Sequence, residues 1–329
     1  MAHEVVKMTY AHVEGSKNPL YAHPWHKFET GLSSIPVDPE ASVLECARKC
    51  DALFEVEKVP NYALVDGEFV KLDTESVIHG DTKDILETKT GKGWQPHQNL
   101  PMFEYAEELV STGMFEHNTS GVLTNGKIVF VNLLVKDAYI KLRPGDEIHA
   151  NLLFTNYHIW GKCSDVRNTN VRAVCRNTVE WAHESHAPME IKFSHQQEWD
   201  ADKVSHMLEM AKAELEEFGE AAKFLNSKAC TVERMKEYYK EVFPVTQSKD
   251  SKRKPREISK MAKICEEVTD TQPGAELGAG TWWQALNAVT YAVDHLGGRN
   301  LNGQLQSAMY GQGKNIKSKA LDLALEHAK

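Results

Sequence analysis

The strongest constraint on the fold is a change of hydrophobic period near residue 199. From there Val204, Met207, Leu208, Ala211, Leu215, Phe218, Ala222 and Leu225 keep a single apolar stripe running through an acid-rich stretch. That spacing predicts a long amphipathic helix over 199–225. Upstream, short β-prone runs are separated by turn residues, the pattern of paired strands. A chain that changes period once in this way reads as α+β: strands and helices first, helices afterwards.

Local signals fill in the elements. Ser42 with Glu45 three positions on is a capping box and predicts a short helix, followed by a strand ending near Pro60. Asp66-Gly67 separates two β-prone runs as a two-residue turn would, and Asn125-Gly126 divides runs rich in Val, Leu, Ile and Phe. Between these hairpins, residues 101–115, PMFEYAEELVSTGMF, predict another helix. A strand follows the Pro144-Gly145 turn. The stretch NTNVRAVCRNTVEWAHE, residues 168–184, places Val171, Val174, Cys175, Thr178 and Ala182 at helical spacing, with Arg172 and Arg176 toward the opposite side. The expected order is helix, hairpin, strand, helix, giving a small antiparallel sheet with helices on one face. Further helices are expected in TVERMKEYYKEVFP, REISKMAKICEEVTD and the segment capped by Thr281 that ends at Gly297-Gly298. We divide the chain into an α+β core, 1–247, containing the long helix, and a basic linker with a helical C-terminal region, 248–329.

Composition narrows the class. In 329 residues, 41% hydrophobic and 26% charged, there is no apolar run of about 18 residues, so no membrane partner is expected. The amino terminus lacks the basic-then-apolar order of a secretory signal, and the six cysteines contain no CxxC pair. The expected location is the cytoplasm. A formal charge of −9 argues against coating nucleic acid through bulk positive charge, though not against a local basic groove. The basic excess at 248–260 reads as a solvated linker.

No GxxxxGK[ST], GxSxG, HExxH or GxGxxG motif occurs. His183 and His186, with Glu184 between them and His195 beyond, and the pair His23 and His26 have spacings that two metal ligands can share. With 15 histidines such pairs arise by chance, and neither carries a ligand frame, so no metal or cofactor is expected. Cys175 near Arg172 and Arg176 has the surroundings of an activated thiol, but its place on the apolar stripe reads as packing. The same holds for Cys46 and Cys50. No catalytic residue is assigned.

Aromatic residues interleaved with basic ones form the remaining constellation. Tyr157 and Trp160 are followed by Lys162, Arg167, Arg172 and Arg176. Single-stranded nucleic acid is held by such pairings of stacking rings with cations. The competing reading is a sheet whose aromatics pack under a helix whose arginines bind the protein's own carboxylates.

In order, HPWH, WQPHQNLPMFEYAEELV, TNGKIVFVNLLV, NVRAVCRNTVEWA and GAGTWWQALNAVTYAVDH resemble the phage/plasmid-like proteins of the domain of unknown function 932 family, from about residue 20 to about 298. The middle motif is matched by Arg172, Val174, Cys175, Asn177, Thr178 and Val179. The late one is matched by Gly280, Thr281, Trp283, Asn287, Ala288, Val289, Thr290, Asp294 and His295. The resemblance implies a setting in DNA replication, recombination or host interference. The expected element order is similar, by topology alone, to the RecT/Redβ single-strand annealing proteins. That analogy implies a homo-oligomer annealing single-stranded DNA, with Arg172 and Arg176 on phosphates, Lys162 and Arg167 flanking, Trp160 or Tyr157 stacking and Asn177 donating to phosphate. Two other classes stay open: an interaction or anti-host protein without DNA affinity, and a metal- or thiol-dependent enzyme. The late motif reads as architecture, a docked amphipathic helix.

Overall fold

The structure, a computed structural model, describes residues 7–11, 33–37, 41–172, 177–179, 190–195, 207–245, 258–297 and 301–329. Residues 173–176, His183, Glu184, His186, His23, His26, most of the basic linker and residues 199–206 of the expected long helix lie outside them. The fold is α+β. One sheet has eight strands: β1 (Lys7–Ala11), β2 (Ser33–Val37), β6 (Phe115–Leu123), β7 (Ile128–Arg143), β8 (Asp146–Tyr157), β9 (Ser164–Arg172), β10 (Asn177–Val179) and β11 (Glu190–Phe193). Their order is β10-β9-β8-β7-β6-β1-β2, with β11 also on β9. β1 runs parallel to β2 and antiparallel to β6. A second sheet, β3-β4-β5, joins β3 (Val56–Val65), β4 (Glu68–His79) and β5 (Ile85–Thr90).

The chain groups into two compact units. The first comprises Met1–Asp137, Asn151–Asn168 and Met189–Ala211; the second comprises Ala138–Ala150, Thr169–Pro188 and Lys212–Lys329. In the first, α1 (Val43–Lys49) begins with the expected capping box: Ser42 Oγ accepts from the Glu45 N–H and Glu45 accepts from the Ser42 N–H. α2 (Asn99–Ser111) buries Met102, Phe103 and Ala106, and Tyr105 meets Phe154 of β8 edge-on at 6.2 Å. The β3–β4 turn matches expectation, since Val65 pairs with Glu68 and both Asp66 and Gly67 have positive φ. β3 does not stop at Pro60 but runs through it with a register shift before Tyr62. An edge strand tolerates proline because no ladder hydrogen bond is lost on its open side. The hairpin at Asn125-Gly126 closes over four residues, Leu123 pairing with Ile128.

One expected element is replaced. The described residues of 168–184 are strands: Asn168 to Arg172 complete β9, and Asn177 opposite Arg172 starts β10. Val171 and Thr178, seven apart, fit two helical turns but pair across β9 and β10, and Val166, Thr169, Val171, Thr178 and Val179 are β-branched and suit a sheet. The observed order is therefore helix, hairpin, strand, strand, and the topological likeness to annealing proteins loses its following helix.

The second unit holds α3 from Lys212 onward (whole helix Met207–Ser227), α4 (Val232–Val242), α5 (Lys260–Val268), α6 (Trp282–Tyr291), α7 (Leu301–Tyr310) and α8 (Gln312–Ala328). Thr281 caps α6 by accepting from the Gln284 N–H. Every residue from Trp282 to Thr290 is buried, so α6 is a central helix rather than a docked amphipathic one. Asp294, just beyond it, binds Lys317 at 2.7 Å, and His295 stacks on Tyr291.

At the strand ends of this unit the Arg172 guanidinium grips Asp146 with two hydrogen bonds, Nε to Oδ1 at 2.6 Å and NH2 to Oδ2 at 2.8 Å. NH2 also donates to the Gly274 carbonyl at 3.2 Å. Trp283 Nε1 donates to Asp146 Oδ2 at 3.3 Å, and its ring lies 5.4 Å from the guanidinium carbon. Arg172 is 3% exposed and Asp146 0%. Breaking such a pair strands a buried charge, so Arg172→Leu is expected to lose about 3–5 kcal/mol in urea unfolding. Arg172→Leu with Asp146→Leu is expected to lose clearly less than Arg172→Leu alone.

Candidate nucleic-acid interface

The aromatic and basic residues of the sequence separate in space. Tyr157 closes β8 and is 7% exposed; Arg167 in β9 is 4% exposed with Nε 3.9 Å from Asp165. Arg172 is committed to Asp146. Arg176 lies outside the described residues, as does the side chain of Asn177. Trp160 and Lys162 reach solvent, both in the short β8–β9 connection within the first unit.

That connection is built on a buried polar network. Ser164 Oγ donates to Asn156 Oδ1 at 2.7 Å, which leaves His97 Nδ1–H to donate to Ser164 Oγ at 3.0 Å. Asn156 Nδ2 donates to the His97 carbonyl and to Asn99 Oδ1, both at 2.9 Å. His158 Nε2–H donates to the same Asn99 oxygen at 3.0 Å, and Asn99 Nδ2 donates to the Phe54 carbonyl at 3.1 Å. His195, which the sequence grouped with possible metal ligands, donates Nδ1–H to the Gln95 carbonyl at 2.9 Å and stacks between Trp94 and His97. The network pins the last residues of β8 and the first of β9 to the start of α2, and the connection inherits that rigidity.

On this base Trp160 is 50% exposed. Its backbone N–H donates to Glu87 Oε2 at 3.1 Å, and its ring lies over Gly91. Lys162 follows Trp160 by two residues, Lys89 and Lys92 flank the Gly91 that its ring meets, all three are exposed, and the Lys92 contact to Asp73 is a solvated one at 3.4 Å. Such an ion pair holds the ammonium weakly. Sequence reasoning missed Lys89 and Lys92, because only the fold brings the β5 end to the Trp160 ring. The glycine-lysine run around Gly91 was the signal that could have found them.

Among the described residues no group of three or more His, Cys, Asp or Glu is placed to hold a metal ion. Burial pushes the Cys46 thiol up to about 12 and Cys230 up to about 11, the opposite of activation. No helix among the described residues is long and apolar enough to cross a membrane.

The family profile for the domain of unknown function DUF932 matches residues 88–319, more than half the chain, from the end of β5 through α2, strands β6 to β11 of the large sheet and the helices into α8. The chain belongs to the DUF932 family. No curated protein and no solved structure matches it.

The histidines set the acid response of this DUF932 chain. Burial holds His158 down to about 3, and His117 and His195 down to about 4, against an ordinary value of 6.5. His158 Nδ1 has no acceptor among the described residues, so a proton there would be a buried, unpaired charge. The unfolded chain binds protons at these histidines first, below about pH 6.5. Stability is therefore expected to be flat above pH 7 and to fall as pH drops from about 6.5, by up to about 1.4 kcal/mol per pH unit per histidine. Urea unfolding between pH 5 and 8 checks this, with His158→Asn reducing the slope.

Proposed function

We propose that this DUF932 chain binds single-stranded DNA in recombination or replication, as a phage- or plasmid-type annealing protein of the host cytoplasm. The observation that supports the reading is the exposed Trp160, held on a rigid base and accompanied by Lys162, Lys89 and Lys92. An aromatic face presented to solvent beside mobile ammonium groups is what a sequence-tolerant strand needs: a base stacks, and phosphates neutralise the lysines. The role first given to Arg172 passes to these lysines, because its guanidinium already serves Asp146.

The small number of cations and the net charge of −9 imply weak, salt-limited binding by one copy. With three lysines engaged, the slope of log affinity against log salt is expected near about −2, from roughly −0.7 per contact. Fluorescence anisotropy of a labelled oligonucleotide across a salt series tests this. Trp160→Ala is expected to cost roughly 1–3 kcal/mol at fixed salt. Lys162→Ala is expected to make the slope shallower. A folded chain that shows no binding at low salt, or binding indifferent to Trp160, removes the proposal.

A further inference from the structure

Helices of the second unit enclose a cavity of about 640 Å³. Its walls come from the end of α4, the start of α5, the segment just after α6, the middle of α7 and the first turns of α8. Val242, Phe243 and Val293 supply a buried apolar wall, and Pro244, Met261 and Ile316 carry it toward solvent. Protein interiors leave few voids larger than a water molecule, whereas small-molecule sites are apolar-walled spaces of about 300–1,000 Å³ with a few polar groups. The size and the walls here are those of a site.

The walls are fixed by close packing. A Cβ on Gly313 would come within 2.8 Å of the Ser307 carbonyl oxygen and 2.9 Å of Val293 Cγ1, so the start of α8 lies directly against α7 and the segment after α6. Ser307 Oγ accepts from the Gly313 N–H at 3.1 Å. Gln304, 6% exposed, donates Nε2–H to the Asp294 carbonyl at 2.9 Å, and Asp294 is itself bound by Lys317. A ligand entering walls held in this way has little protein to order.

Charge selects the occupant. Acids outnumber bases in the chain, 47 to 38, yet the described residues lining the cavity include Lys260 and Lys319 and no Asp or Glu. Both lysines are exposed at the rim. Lys319 Nζ donates to the Glu241 carbonyl at 3.0 Å, and neither ammonium pairs with a carboxylate among the described residues. α5 and α8 both bring their N-termini to the cavity, and neither has an acid in its first turn, so the positive ends of two helix dipoles add to the ammonium groups. We propose that the cavity binds a small amphipathic anion, its aliphatic body among Val242, Met261, Val293 and Ile316 and its carboxylate at the rim with Lys260 and Lys319. An aliphatic body fits better than a planar base, because Phe243 is the one aromatic residue among the described lining residues. The site stands independently of any nucleic-acid contact at Trp160, which belongs to the first unit.

Isothermal titration of the full chain with octanoate, with no DNA present, tests the proposal. Saturable binding is expected, with octanol about tenfold weaker for want of the charge and acetate not binding for want of the chain. Lys260→Glu is expected to weaken octanoate about tenfold and to leave octanol unchanged; its side chain is exposed, so the variant keeps the fold. Ile316→Trp fills the cavity from α8 and Met261→Trp from α5, and whichever keeps the circular dichroism of the unaltered chain is expected to lose both ligands. No saturable octanoate binding, equal affinity for octanol, indifference to Lys260→Glu or to the filling variant, or tighter binding of adenosine monophosphate than of octanoate overturns the assignment.

Discussion

The buried pair of Asp146 and Arg172 is the interaction on which the second unit depends. Each ion costs several kcal/mol to desolvate, and neither is tolerable there without the other. Asp146 opens β8, Arg172 ends β9, Gly274 supplies a carbonyl before α6, and Trp283 donates from within α6. Four separate stretches of chain therefore satisfy one another at a single point. The net stabilisation from such an arrangement is small, because the Coulomb gain repays desolvation. Its effect is arrangement: a sheet end, a turn and a central helix have to arrive together, or a charge is left stranded.

The first unit solves a similar problem without net charge. Asn99, Asn156, Ser164, His97 and His158 link donors to acceptors in sequence; the oxygen of Asn99 fixes which His158 nitrogen carries the proton, and burial keeps the ring neutral. A fully connected network of this kind is rigid, and its weakness is acid, since an extra proton finds no acceptor. The Trp160 connection gains a firm base from the same residues that make the unit sensitive to pH. Packing, electrostatics and the candidate interface are here parts of one network.

The two exposed features lie at opposite ends of a physical scale. Trp160 is a half-exposed ring lying over Gly91, with the exposed Lys89 and Lys92 flanking that glycine. The ribbon tip is a two-stranded hairpin with exposed apolar groups on both faces. The first is a half-exposed ring, the proposed place for a stacked base; the second is a ribbon whose apolar groups face solvent.

Local chemistry alone determined much of the fold. Ser42 with Glu45, Asp66-Gly67, the Pro144-Gly145 turn and Thr281 each announced a cap or turn, because those groups act on backbone within a few residues. The switch to helices and the α+β class followed from period. Tertiary structure decided what period could not. Residues 168–172 fit a helix by spacing, and only the presence of β8 as a neighbour makes them a strand. Arg172 is anionic-ligand chemistry in sequence, but its partner lies 26 residues away in the chain, and Trp283 stands 137 residues from that same carboxylate. A charge has no preference between a phosphate and an aspartate until folding decides which one is within reach.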